Sequence, residues 1–544
     1  MMLQEASSGL MMLKWICNLL LLSAFLHGQT VSKVWVADNG DGTYKNPVLH
    51  ADYSDPDPVR VGEDYYLTAS SFDQVPGLPI LHSRDLVNWT LIGHVYDKQP
   101  PFDVFDKVRP GGGAWAPSLR YHNGEFYAMW PDPDFGIYMS KAKKPAGPWS
   151  EPLLVKLAKG WIDPCPLWDD DGKAYLVSAL AASRAATKSV VIVSRMSPDA
   201  TRLLDDGVLV YDGHQTDPTI EGPKFYKRNG YYYIFAPAGG VPSGWQLVLR
   251  SKSVYGPYDR KVVLAQGSTP INGPHQGGWV DTPGGEYWFL HFQDKGAYGR
   301  VVHLQPMKWV ADWPVIGIHQ DPAGKGEPVL RYKKPNVGRV YPVATPAESD
   351  EFNGSRIGLQ WQWSANPQSN WAFPSPSLGV LRLFTVPLPE VSKNHWDVPN
   401  LLLQKFPAPV FAATAKVTFH PMSDGDETGL AIMGADYAYI ALRKQAEGVY
   451  LSYAVAAGAN RCSAQRESAA VAVKESTVYL RVKVSEGAVC GFSYSTDGTE
   501  FTVVGDEFTA KAGRWIGAKV GLFALRPKPA GENGWADYDW FRVD

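Results

Sequence analysis

Apolar and polar residues alternate with a period of two along most of this chain, and no amphipathic helical pattern lasts beyond two or three turns. The alternation comes in short bursts closed by turn residues, which predicts strands joined by hairpins. Five stretches share one layout: "DPDPVRVGEDYYLTASS" from Asp55, "WAPSLRYHNGEFYAMWP" from Trp115, "DPCPLWDDDGKAYLVSA" from Asp163, "EGPKFYKRNGYYYIFAP" from Glu221 and "HQGGWVDTPGGEYWFLHF" from His275. Each opens on a polar or aromatic lead residue, often followed by Pro or Gly. A short apolar strand, a Gly-bearing turn and a strand rich in Tyr, Phe or Trp come next. The copies recur roughly every 50–60 residues, the scale of a propeller blade.

A third strand repeats too. "LPILHSRDLVNWTLI", "GIYMSKAKKPAGPWSEP", "SVVIVSRMSPDATRL" and "LVLRSKSVYGPYDRK" each give an alternating strand, then Ser beside a basic residue, then a turn. Four strands per copy and five copies predict an all-β domain, a five-bladed β-propeller. The first strand of each blade lines the central channel, so the five lead residues are expected to converge at one end of it. After the Pro-punctuated connector "YKKPNVGRVYPVATPAESDEFNGS" the blade copies stop, and stricter alternation from about Asp350 predicts an antiparallel β-sandwich. The expected organisation is a leader over 1–28, the propeller over 29–335, a linker over 336–349 and the sandwich over 350–544.

Composition adds substrate and compartment to this picture. The 20 Trp, 27 Tyr and 21 Phe suit strands, and also suit sugar-binding surfaces, where a ring packs on the apolar face of a pyranose. A net charge of −3, with no basic patch or acidic tail, excludes a nucleic-acid binder. "MMLKWICNLLLLSAFLHGQT" carries Lys14, an apolar stretch from Trp15 to Leu26, then small and polar residues. That is the build of a signal peptide cleaved near Gly28–Gln29, with a buried helix as the competing reading. Cys17 lacks the preceding small residue of a lipoprotein site. The mature protein is therefore expected to be exported, periplasmic or extracellular, with no stable membrane insertion. Its remaining Cys165, Cys462 and Cys490 are odd in number, which argues against a disulfide-framed fold. Cys462 and Cys490 could pair.

Asp55, Asp163 and Glu221 in one funnel would repel one another and be partly desolvated, which pushes carboxyl pKa values apart. One can then act as a base while another is held protonated as an acid, the pair that glycoside hydrolysis needs. Salt-bridged structural acids, or ligands to an ion on the axis, are the alternative.

Over roughly Asn46 to Gly317 the chain resembles glycoside hydrolase family 43, the five-bladed β-xylosidases and α-L-arabinofuranosidases. "NPVLHADYSDPDPVRVGEDYYLTASSF" resembles the opening blade, and its Asp55 matches the general base. "GWIDPCPLWDDDGKAYL" places Asp163 as the carboxylate that orients the acid and tunes its pKa. "TIEGPKFYKRNGYYYIF" places Glu221 as the general acid. "GPHQGGWVDTPGGEYWFLHFQD" carries His275, similar to the axial histidine that often sits near a bound calcium and here would reach it through water. "GRVVHLQPMKW" matches a strand whose arginine, Arg300, reaches the sugar. The resemblance implies an exo-acting, inverting hydrolase that releases a terminal α-L-arabinofuranose or β-D-xylose from hemicellulose. It implies one structural calcium at most and no organic cofactor. Its two carboxyls should stand about 6.5–9.5 Å apart.

Phe72 and Trp115 are expected to line the pocket, each with plain core as the alternative. Where the β-xylosidase pattern has Trp after "SSF" and an acid, this chain has Gln74, which would leave a pocket wall more polar or open. Asp57 is read as structural and Cys165 as packing. The sandwich resembles the concanavalin A-like accessory domain of many family-43 enzymes and is expected mainly to brace the propeller. Two other readings stay open: a glycan-binding propeller without catalysis, and a retaining invertase-like fructosidase. The second lacks its usual signatures, with "YSDPDP", "WIDPCP" and "IEGP" in their places.

Overall fold

Five four-stranded antiparallel sheets follow one another along the chain in a computed structural model that describes residues 31–544 apart from 391, 469 and 530. The leader expected over 1–28 lies outside the described residues. The innermost strands of the five blades are Asp57–Val61, Ser118–His122, Trp161–Trp168, Lys224–Arg228 and His275–Asp281. Within each blade the strands pair in sequence order, as the repeat predicts. The hairpin turns explain part of the register. Asn123–Gly124 and Asn229–Gly230 hold φ values of 48° and 82°, and of 50° and 72°, the doubly left-handed turn that Asn-Gly tolerates best.

Because every blade is one contiguous segment, no shared sheet closes the ring. Arg60 of the first blade grips Asp281 of the fifth through two hydrogen bonds of 2.8 Å. Thr43–Lys45, ahead of the first blade, pairs with Arg331–Lys333, which follows the fifth. Leu49 and Val302 exchange backbone hydrogen bonds of 3.3 and 3.0 Å.

From Gln362 onward the chain forms two further sheets, one of nine strands and one of seven. They are the predicted sandwich. The propeller and sandwich share a core: buried Leu78, Ile80 and Trp130 of the first two blades lie in one apolar cluster with Trp361, Trp371 and Leu402. Backbone bonds cross the junction at Val75 and Trp363, and Ala518 N–H donates to Ala297 at 2.7 Å. Cys165, Cys462 and Cys490 are all free, so the Cys462–Cys490 pair does not form. No helix among the described residues is long and apolar enough to cross a membrane.

Candidate active site

Two of the lead carboxylates sit on strained backbone. Asp55, two residues ahead of its strand, and Asp163 both have a φ of +57°. Aspartate tolerates this left-handed region better than most residues, and such strain concentrates at functional sites. Asp163 does not precede its strand as the repeat suggested. It lies inside Trp161–Trp168, in a bulge between Ile162 and Cys165 that re-aims its side chain. Glu221 stands between Thr219 and Gly222, each with a φ of +58°.

Hydrogen bonds tie these residues across blades. Gly222 N–H donates to Asp163 Oδ2 at 2.7 Å, joining the third and fourth blades beside Glu221. Glu221 Oε1 meets His275 Nε2 of the fifth blade at 2.8 Å. Asp55 Oδ2 accepts from the hydroxyls of Ser54 and Ser70 at 2.6 and 2.5 Å. Arg300 Nη1 donates to Ser54 Oγ at 2.9 Å and reaches Asp55 Oδ1 at 3.4 Å. The structure thus brings Asp55, Asp163, Glu221, His275 and Arg300 together. Asp55 and Asp163 are buried, while the Glu221 side chain keeps 23% of its surface open to receive a ligand.

Burial pushes the Asp163 carboxyl well above its ordinary range, and the charges of Glu221 and then Asp55 push it further. Asp163, beside Glu221, therefore retains its proton at a pH where isolated carboxyls have lost theirs. A glycosidic oxygen needs such a proton.

Aromatic rings wall the site. Phe72, buried with a φ of +53°, meets Trp115 edge-on at 6.4 Å. Trp115 meets Trp515 at 6.0 Å, and Arg300 lies 5.9 Å from the Trp515 ring. Trp515 comes from the sandwich, is 39% exposed and holds a φ of +67°, an outlier for so bulky a residue. The sequence reading missed it. The one local signal is "GRWIG", a glycine-flanked Trp that interrupts the alternation. Ser54 and Ser70 were missed as well, since hydroxyls carry no spacing signature of their own.

Other expectations are sorted by the same geometry. Gln74 is buried, donates to Asp73 Oδ1 at 3.3 Å and lines a crevice between the domains with Ser364, Trp396 and Arg514. Asp57 accepts from Leu119 N–H at 2.7 Å and Arg120 Nη1 at 2.6 Å, a tie between the first two blades. Cys165 Sγ accepts from Arg120 Nη2 at 2.9 Å and Phe225 N–H at 3.2 Å, which anchors the channel below the acids. Among the described residues no group of three His, Cys, Asp or Glu is placed to hold a metal directly. His275 spends Nε2 on Glu221, and its buried Nδ1 has no partner, which fits an ion reached through water.

Comparison with known proteins agrees with this geometry. Residues 44–314 match "Glycosyl hydrolases family 43", and residues 349–544 match "Beta xylosidase C-terminal Concanavalin A-like domain". A Xylanibacter ruminicola protein is 41% identical over 90% of this chain and 88% of its own length. A beta-xylosidase of Formosa agariphila is 32% identical over 93% of this chain and 91% of its own. A non-reducing end alpha-L-arabinofuranosidase of Bacteroides ovatus is 28% identical over 97% of this chain and 99% of its own. The crystal structure of a xylan beta-1,4-xylosidase from Bacillus halodurans superposes with a TM-score of 0.81 at 26% identity, covering 92% of this chain and 99% of that one. Five blades with their lead acids at one mouth, a sandwich that completes the wall, and relatives alike over nearly their whole length lead to one conclusion: the chain belongs to glycosyl hydrolase family 43.

Proposed function

We propose that the protein is an exo-acting, inverting glycoside hydrolase that removes a terminal pentose, β-D-xylose or α-L-arabinofuranose, from hemicellulose or its oligosaccharides. The observation that carries this reading is the convergence of Asp55, Asp163 and Glu221 with His275 and Arg300 at one mouth of the channel. Relatives named for xylosidase and arabinofuranosidase activity support the pentose. The wall built by Phe72, Trp115 and Trp515 supports attack on chain ends.

In this reading a water lies between Asp55 and the anomeric carbon. Asp55, oriented by two hydroxyls and Arg300, takes a proton from that water as its oxygen attacks. Glu221 gives its proton to the glycosidic oxygen as the bond to the anomeric carbon breaks. One displacement then inverts the configuration. Asp163 holds a proton beside the acid and, through Gly222 N–H, fixes the backbone next to Glu221, while His275 fixes the Glu221 rotamer. Arg300 is poised to hold sugar hydroxyls. A calcium ion on the axis, held through water by His275, would supply positive charge behind this histidine. The leader-like residues 1–28 support export.

A panel of nitrophenyl pentosides and xylobiose tests the reading. Wild type should hydrolyse a β-xylopyranoside or an α-L-arabinofuranoside. Glu221→Gln should lose about 10²–10⁴-fold on xylobiose, whose leaving group needs a proton, and far less on a nitrophenyl substrate. Equal turnover of xylobiose by the variant would remove Glu221 from the acid role.

A further inference from the structure

We propose that Asp52 is a positioning residue that seats the Trp515 loop of the sandwich and Arg300 of the propeller on one carboxylate. The inference rests on the hydrolase reading above and names what makes the pocket depend on both domains. Asp52 is buried, three residues before Asp55. Its Oδ1 accepts from Arg300 N–H and its Oδ2 from Gly517 N–H, both at 2.9 Å. One carboxylate therefore fixes the backbone of the arginine that reaches Asp55 and the backbone two residues beyond Trp515. Bonds from two N–H groups to an ionisable oxygen pair are stronger and more directional than neutral ones.

The surrounding packing is shaped for this contact. A Cβ on Gly299, whose φ is +74°, would fall 2.4 Å from Asp52 Cγ. A Cβ on Gly517 would fall 2.7 Å from Gly299 N. Two glycines thus meet where the domains touch, and any side chain there would lift the loop from its seat. Ala518 N–H donates to Ala297 beside them. Lys519, buried, and Lys405, half-buried, come from the sandwich and stand within electrostatic reach of the Asp52 carboxylate. Trp515 then stands against Trp115 and near Arg300, where a sugar would be clasped.

The test uses the full-length protein and Asp52→Asn. An amide keeps the shape but can accept from only one of the two N–H groups, and its NH₂ opposes the other. Hydrogen–deuterium exchange should quicken at Arg300 or Gly517, and kcat/KM on xylobiose should fall about tenfold or more, with free pentose inhibiting more weakly in parallel. In a Trp515→Ala background the same substitution should cost less, because the ring is gone and only the hold on Arg300 remains. Gly517→Ala, which lifts the loop with Asp52 intact, should give the same kinetic defect, and this holds even where Asp52→Asn folds poorly. Unchanged exchange, or quickened exchange with wild-type kcat/KM and pentose inhibition, overturns the proposal; so does a full-sized effect in the Trp515→Ala background. If wild type bound pentose without cutting any glycoside, the hydrolase reading would fall, and calorimetric affinity for xylose or arabinose would replace kcat/KM as the measure of Asp52.

Discussion

Asp163 shows how one side chain serves chemistry at the expense of stability. Its raised pKa arises from burial and from the charges of Glu221 and Asp55. The folded state thus binds a proton that the unfolded chain releases above its ordinary value of 3.8. The stability tied to this group is complete below that value and is lost as pH rises toward the folded pKa. Asp163→Asn keeps an acceptor for Gly222 N–H and removes the titration. It should therefore unfold at a higher temperature than wild type at pH 7, with the gap closing toward pH 4. Its hydrolysis should also be slower, because the carboxyl that stands beside Glu221 and holds a proton there is gone. A thermal scan across pH and a pH–rate profile check both. A variant less stable than wild type at pH 7 would contradict the account.

At the scale of elements, the innermost strands are held to one another by buried charge rather than by a shared sheet. Asp57, fully buried, ties the first blade to Leu119 and Arg120 of the second. Asp57→Asn leaves the Arg120 guanidinium without its counter-charge and should lower unfolding free energy by about 3–5 kcal/mol. Urea denaturation measures this, and a loss under about 1 kcal/mol, the worth of an exposed pair, would refute it. The strands themselves were legible in the sequence because lead residue, strand, Asn-Gly or Gly-bearing turn and aromatic strand repeat as local chemistry. Asp55, Glu221 and His275 stood out as lead residues for the same reason. The bulge at Asp163 was not legible, since inserting one residue changes the aim of a side chain without changing the alternation around it. Nor was the place of Gln74: the pattern located it beside Phe72, and only the docking of the sandwich shows that it faces the other domain.

At the scale of the whole molecule, the sandwich is more than a brace. It shares a core with the first two blades and delivers Trp515 to the pocket. No reading of one domain's sequence could find that tryptophan, because its role exists only after the two units meet. Trp515→Ala should raise KM for xylobiose with a smaller change in kcat, since an aromatic ring at a pocket wall offers a face for sugar to pack on and moves no proton. Steady-state kinetics separates the two, and a fall in kcat alone would contradict the wall assignment. The junction also carries a pH signature. Burial, and then the charge of Lys519, lower the Lys405 pKa to about 7 from 10.5. Between those values the unfolded chain holds a proton that the folded state has lost, so stability rises with pH from about 7 to 10.5 and carries the full penalty below about 7. Lys405→Met should be the more stable protein at pH 7, with an advantage that shrinks as pH approaches 10.5. Thermal unfolding at several pH values reads it, and an advantage that grew with pH would be the wrong sign.

These scales meet in one claim: Asp55 and Glu221 face a single sugar from opposite sides, with room for water on the Asp55 side. Following hydrolysis of a β-xyloside or an α-L-arabinofuranoside by proton NMR tests it most directly, before mutarotation scrambles the product. The account predicts that the first sugar released has the opposite anomeric configuration to the substrate. Release of the same anomer would mean a covalent glycosyl-enzyme and would contradict the assignment of Asp55 as a base.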